Sequence, residues 1–283
     1  MDMQYIKIVD MEDTRLTPYF SLNESQLYHY YEPDAGLFIA ESAKVIRRAL
    51  DAGYEPVSFL VEEEIIECDS GCASYAEICS ILEEYDGTPI YTLPREIMSH
   101  TPGYAVTRGL LCCLRRKALP PIERLCDNAD RIVVLESVDN PTNVGAIFRS
   151  AAALFMDALL LTDDCSDPLY RRAARVSMGT VFQIPYAYIE NDEFSHYVDR
   201  LHKMGYKVAA MALSDDAISV TDSRLKECEK LAILMGSEGD GLCAATIEKA
   251  DFVVRIPMTE GVDSLNVSAA AAVTFWELRA DRT

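Results

Sequence analysis

This chain of 283 residues predicts an α/β fold with a parallel sheet in its C-terminal part. Short apolar runs of strand length alternate with stretches of helical period from residue 131 onward. Two of the runs, 231–235 (LAILM) and 252–256 (FVVRI), pass straight into small and polar residues. After the first come Gly236, Ser237, Glu238, Gly239, Asp240 and Gly241. After the second come Pro257, Met258, Gly261, Ser264 and Asn266, then an alanine-rich helix. A buried strand that enters a glycine cluster brings backbone, not side chain, up to what lies beyond it.

In order, the first 37 residues read as short helices and loops with scattered tyrosines. A brief strand is expected at 37–40 and a helix at 41–52, with Val45, Ile46, Ala49 and Leu50 on its apolar face and Gly53 as its stop. Strands at 56–61, 89–93 and 108–114 alternate with helices at 75–85 and 95–100, which makes 38–116 a small α/β domain. Residues 117–129 hold a proline pair and no strong period, and read as a linker. The second domain, 130–283, opens with a buried strand at 131–137, a turn, and a helix at 143–155. Strands at 158–162 and 206–213, helices at 169–178 and 193–204, the two glycine-flanked strands and a helix at 267–282 complete it. This βα repetition implies parallel strands covered by helices.

Composition narrows the function classes. No apolar stretch reaches the ~18 residues of a membrane span, and the charged N-terminus argues against a secretory leader. Nine cysteines are an odd number without metal-site spacing; Cys68, Cys72 and Cys79 come nearest to a cluster, with no histidine close enough in sequence to complete it. Reduced thiols in a cytoplasmic protein are expected. The net charge of −20 argues against nucleic acid taken alone, since neutralising phosphate supplies most non-specific affinity. Local basic groups can outweigh net sign within a Debye length of about 8 Å. Arg108, Arg115 and Arg116 form one such group, and Arg171, Arg172 and Arg175 a second at helical spacing, read either as solvated faces or as phosphate contacts.

Ligands of parallel α/β sheets bind beyond the carboxyl ends of the strands, and three segments lie at such ends. In 140–149 (NPTNVGAIFR), Asn143 is a candidate helix N-cap, and Arg149 is an isolated charge among apolar neighbours, able to reach back along the helix. The glycines of 236–241 allow positive φ and close backbone approach, though a tight turn explains them equally. In 256–266, capping accounts for one of Ser264 and Asn266; the pair suggests a ligand.

Together, these three segments resemble the signatures of the SpoU/TrmH-type RNA 2′-O-ribose methyltransferases of the SPOUT class. Asn143, Gly145, Arg149 and Ala151 match the first; Gly236, Glu238, Gly239, Gly241 and Leu242 the second; Ile256, Pro257, Met258, Gly261, Ser264, Leu265, Asn266, Val267 and Ser268 the third. The resemblance is close over 131–280 and weaker over 38–116, which is similar to the family's small, ribosomal-protein-like substrate-binding domain; residues 1–37 carry none of the motifs. It implies a deep C-terminal trefoil knot, a homodimer with its active site completed across the interface, and S-adenosylmethionine held bent by backbone groups of Gly236, Ile256 and Leu265, with residues 211–213 bordering the pocket. The implied substrate is ribosomal or transfer RNA. Arg149 would stand nearest the ribose hydroxyl, and Asn143, Glu238, Ser264 and Asn266 would orient Arg149, ribose and cofactor; neither metal nor membrane is implied. The alternatives are a non-catalytic knotted homologue that binds RNA or protein, and a nucleotide-binding oxidoreductase, which the late glycine cluster disfavours.

Overall fold

Strand-length apolar runs build two separate sheets. The computed structural model describes residues 4–29, 36–67, 73–99, 109–190, 196–214, 216–261 and 264–280. The chain divides into two units, Met1–Ala118 with Leu169–Phe182, and Leu119–Pro168 with Gln183–Thr283.

The first unit runs β1 (Tyr5–Lys7), α1 (Thr17–Phe20), α2 (Glu24–Tyr28), β2 (Leu37–Glu41), α3 (Ala43–Asp51), β3 (Pro56–Glu62), α4 (Glu63–Glu67), α5 (Ala73–Glu84), β4 (Ile90–Leu93), α6 (Arg95–Ser99) and β5 (Leu110–Arg115). Its sheet has the order β1-β4-β3-β5-β2. β3 lies parallel to β4, and β4 to β1, whereas β5 is antiparallel to both its neighbours. Every residue of β2 is buried, so both faces of this strand are covered. In α3, Val45, Ile46, Ala49 and Leu50 form the buried stripe their spacing predicts, and Gly53 follows with φ +77°.

The second unit continues with α7 (Ile122–Cys126), β6 (Arg131–Glu136), α8 (Pro141–Ala153) and β7 (Ala158–Thr162). α9 (Arg171–Val176) comes next in the chain and groups with the first unit. Then follow β8 (Tyr186–Ile189), α10 (Tyr197–Lys203), β9 (Lys207–Met211), β10 (Ile218–Ser219), α11 (Ser223–Lys226), β11 (Leu231–Gly236), α12 (Ala244–Lys249), β12 (Phe252–Arg255) and α13 (Val267–Leu278). The seven strands pair in parallel in the order β10-β12-β9-β11-β6-β7-β8. Ile132, Val134, Leu160, Val208, Ala210, Ala232 and Leu234 fill one core. Arg131, 5% exposed, donates to the carbonyls of Leu278 and Glu229 at 3.0 and 2.9 Å, and so ties the end of α13 to the base of the sheet.

The stretch 117–129, expected as a linker, carries α7. Ile122 and Cys126, four residues apart, are buried in the core of the second unit, so packing overrides the weak local period. The short strands β1, β8 and β10 were not anticipated. The expected helix 193–204 is found from Tyr197, with 191–195 outside the described residues, and the last helix ends at Leu278. Because all strands of the larger sheet point one way, the segments that follow β6, β9, β11 and β12 leave the same edge side by side.

Candidate active site

The first site segment starts with a turn pinned before it becomes a helix. Ser137, at φ +57°, receives no help from glycine; instead its N–H donates to Thr162 Oγ1 at 2.9 Å and its hydroxyl to Asp164 Oδ2 at 2.6 Å. α8 then begins earlier than expected. Its cap is Asn140, whose Oδ1 accepts from the N–H of Thr142 at 2.9 Å, and Pro141 occupies the first helical position. The expectation of Asn143 as the cap is therefore corrected. Asn143 sits inside the first turn, 6% exposed, with its side chain released for another partner.

That partner is Asn266. It is the N-cap of α13: its Oδ1 accepts from Ser268 N–H at 2.9 Å and from the Ser268 hydroxyl at 2.6 Å. Its Nδ2 donates to Asn143 Oδ1 at 3.2 Å and, in a short contact, to Glu238 Oε1. Both ends of the amide are thus engaged, which fixes its orientation. Of Ser264 and Asn266, one of which capping was expected to explain, Asn266 is the cap, and its amide N–H also meets Asn143 and Glu238.

The glycine loop closes on itself between β11 and α12. Ser237 and Gly241 form an isolated antiparallel bridge, and Gly241 has φ +70°. A Cβ on Gly236 would stand 2.2 Å from the Gly241 carbonyl carbon, so only glycine permits this closure. Residues 236–242, with Ile256, Met258, Ser264, Leu265 and Asn266, and with Met211 at the end of β9 and Ala212 and Leu213 beyond it, line a cavity of about 670 Å³. Gly236, Ile256 and Leu265, the three expected backbone contacts, all border it, as do Glu238, Ser264 and Asn266. Asn143 and Arg149 are not among its lining residues; Asn143 reaches the rim through Asn266. Arg149 is exposed on α8, six residues or about 9 Å of helix rise beyond Asn143. It makes no hydrogen bond or ion pair among the described residues.

Beneath the loop lies a group that sequence reading passed over. Glu136 ends β6 and is 1% exposed. Its Oε1 accepts from Cys243 N–H at 2.6 Å; its Oε2 accepts from the hydroxyls of Tyr197 at 2.6 Å and Thr246 at 2.8 Å. Burial first, and the adjoining Glu136 carboxylate second, push the Tyr197 phenol far above the tyrosine range, so it remains a donor. The available signal was an acid closing the apolar run 132–135.

The basic groups fare differently. Arg171 is 6% exposed; its Nε meets Glu41 Oε2 at 3.0 Å and its N–H donates to Glu24 Oε1 at 2.8 Å. Arg175 approaches the same Glu41 oxygen at 3.6 Å. Arg171 is thus committed within the first unit, which corrects its expected availability for phosphate, whereas the Arg175 side chain keeps 40% of its surface exposed. Arg116 lies over the Tyr28 ring at 4.6 Å. Arg115 and Arg172 are exposed, and Arg108 lies outside the described residues. Cys79 is a free, buried thiol, and Cys68 and Cys72 lie outside the described residues. Among the described residues no group of three or more His, Cys, Asp or Glu could hold a metal ion, and no helix is long and apolar enough to cross a membrane.

Residues 130–276 match the family model described as SpoU rRNA methylase. The chain belongs to the SpoU rRNA methylase family. It is 34% identical over 272 residues to an uncharacterized tRNA/rRNA methyltransferase of Mycobacterium bovis, a match covering 95% of this chain and 90% of that protein. It is 33% identical over 159 residues to the 23S rRNA (guanosine(2553)-2′-O)-methyltransferase RlmP of Bacillus subtilis, covering 56% and 61% of the two chains. Its fold is that of an AdoMet-bound rRNA methyltransferase from Sinorhizobium meliloti, with a TM-score of 0.75 at 22% identity and 97% of each chain covered. The SpoU assignment covers the glycine loop, α8 and most of α13, which are the elements that carry the cavity and its rim.

Proposed function

We propose that the chain is an S-adenosylmethionine-dependent RNA methyltransferase that acts on a ribose 2′-hydroxyl of ribosomal or transfer RNA in the cytoplasm. The observation that carries this reading is the Asn143–Asn266–Glu238 network on the rim of a cavity bordered by Gly236, Ile256 and Leu265. The cavity fits the cofactor. Gly239 and Gly241 face open space where a Cβ would stand, Met211, Met235, Leu242 and Val254 offer apolar wall, and Ser237, Glu238, Asp240 and Ser264 supply polar groups. Bound there, S-adenosylmethionine supplies an electrophilic methyl group on its sulfonium.

The protein's part is to position and to handle charge. Main-chain groups of Gly236, Ile256 and Leu265 hold the cofactor, and the apolar wall excludes water. Asn266 locks Glu238 and Asn143 in place, and with Ser264 these orient the ribose. The Arg149 guanidinium grips an adjacent phosphate and stabilises the oxyanion that develops as the 2′-hydroxyl loses its proton. It is too strong a base to give up its own proton unaided, so the electrostatic role is preferred to that of general base.

Arg149 lies away from the cavity lining of its own chain, which supports a site completed by a second copy. α13 packs on α8 and presents Val273 and Trp276, 43% and 58% exposed and one helical turn apart, as an apolar surface for pairing. The same reading includes the trefoil knot, formed by the loops that follow β11 and β12, and substrate binding by the first unit.

The test is transfer of tritiated methyl groups from S-adenosylmethionine to total RNA, followed by mapping of 2′-O-methyl positions in RNA from a deletion strain. Arg149→Ala is expected to lower turnover at least ~100-fold while cofactor affinity by calorimetry stays unchanged. Near-normal turnover in that variant removes Arg149 from the chemistry, and absence of transfer by the wild type leaves a non-catalytic binding module.

A further inference from the structure

We propose that Glu136 is a positioning residue that clamps both ends of the glycine loop and thereby sets cofactor affinity; this rests on the cavity being the cofactor site. One residue holds the loop at two points. Through its backbone, Glu136 pairs with Gly236, the last residue of β11, where the loop begins. Through its side chain it accepts the Cys243 N–H and the Thr246 hydroxyl, where the loop ends and α12 starts. Between those points lie Ser237, Glu238, Gly239, Asp240, Gly241 and Leu242, all of which line the cavity.

Leu242 is buried in the core, but the polar interactions of the rest of the loop are few. The bridge between Ser237 and Gly241 and a 3.3 Å bond from Asp240 N–H to Ser237 Oγ tie it to itself, not to the sheet. Its glycines make it entropically costly to order. A carboxylate buried at 1% with three donors, by contrast, is a stiff anchor, because all three would lose a charged acceptor if it let go. Tyr197 fixes the carboxylate from the side of α10, so the anchor does not depend on the loop for its own position. Glu238, which meets Asn266 across the rim, is held in place at the far end of the same clamp.

The experiment compares wild type, Glu136→Ala, Glu136→Gln and Thr246→Val by amide hydrogen exchange without cofactor, then by calorimetric titration and turnover. In Glu136→Ala, exchange at 237–243 is expected to rise about tenfold or more, with β6, β7 and β8 unchanged, since the hydrogen bonds to Cys243 and Thr246 that hold the end of the loop are lost. The S-adenosylmethionine Kd and KM should weaken by about tenfold, while kcat at saturating cofactor stays within about threefold, because bound cofactor re-orders the loop and Glu238 keeps its contact with Asn266. Glu136→Gln should recover part of both effects: its carbonyl still accepts from Cys243, and the Tyr197 and Thr246 hydroxyls can turn to accept from its amide. Thr246→Val should give a smaller shift in the same direction, and it carries the test together with Glu136→Gln if the alanine variant does not fold. Unchanged exchange at 237–243, or a rise spread evenly over the parallel sheet, overturns the clamp. Failure of the wild type to bind cofactor would instead overturn the proposed function, and the exchange result would still decide whether Glu136 holds the loop.

Discussion

Two regions of this molecule treat their arginines in opposite ways. In the first unit, Arg171 is buried and paired with Glu41, itself 2% exposed, and Arg175 closes on the same carboxylate. On α8 in the second unit, Arg149 stands exposed with no partner among the described residues. The first arrangement spends the guanidinium's charge on the fold, since a buried pair is stable only while both members are present. The second leaves the charge available to something outside the chain. Arginines therefore divide into structural and functional groups by what they are already bonded to, and spacing along the chain does not reveal that.

The contrast is sharpest in stability. Glu41→Ala removes the carboxylate paired with the Arg171 guanidinium, which is 6% exposed, and should destabilise the first unit by about 3 kcal/mol. Arg149→Ala removes an exposed, unpaired side chain and should change stability by less than about 0.5 kcal/mol. Urea or thermal melts of the two variants measure the difference directly. Equal effects would mean that the Glu41 pair is not the buried clasp described, or that Arg149 has a structural partner.

How far each of these features could be read from the amino-acid sequence follows from how local its cause is. Five strands of the larger sheet were readable, at 131–137, 158–162, 206–213, 231–235 and 252–256, because burial within a parallel sheet writes short apolar runs. β1 and β10, three and two residues long at the edges of their sheets, write no such run. The cavity-lining positions Gly236, Ile256, Leu265, Ser264, Asn266 and Glu238 were legible from their motifs and come together in the structure. The start of α8 was legible in principle: Pro141 marks the first helical position, which makes Asn140 the cap and frees Asn143. The Glu41–Arg171 pair spans 130 residues, and the contacts of Glu136 span 61 to 110. No window along the chain holds both partners, so tertiary structure alone reveals them.

A second way to test the division lies in Asn266, where structure and site share one side chain. Serine also caps helices well, so Asn266→Ser should keep stability within about 0.5 kcal/mol of wild type. It cannot reproduce the amide N–H that meets both Asn143 and Glu238. On the proposed reading, methyl transfer should fall by at least about tenfold through loss of that charge-assisted contact, with the melting temperature held. Loss of stability without loss of transfer would show that Asn266 is only a cap.

The smallest effect separates neighbours within a single helix. Arg171, Arg172 and Arg175 share α9, yet Arg172 is exposed and has no partner among the described residues. If the first unit binds RNA through phosphate, Arg172 is the member of this group free to do so. Arg172→Ala should lower the slope of log affinity against log salt by about one and leave stability unchanged. Arg171→Ala should act in the reverse sense: it leaves the Glu41 carboxylate buried without its closest partner, so the loss appears in the melt and RNA affinity of the folded fraction keeps its salt slope. A chain of net charge −20 can bind a polyanion only through such uncommitted cations. A salt slope near zero for the wild type would therefore place RNA recognition in base and backbone contacts and not in the arginines of α9.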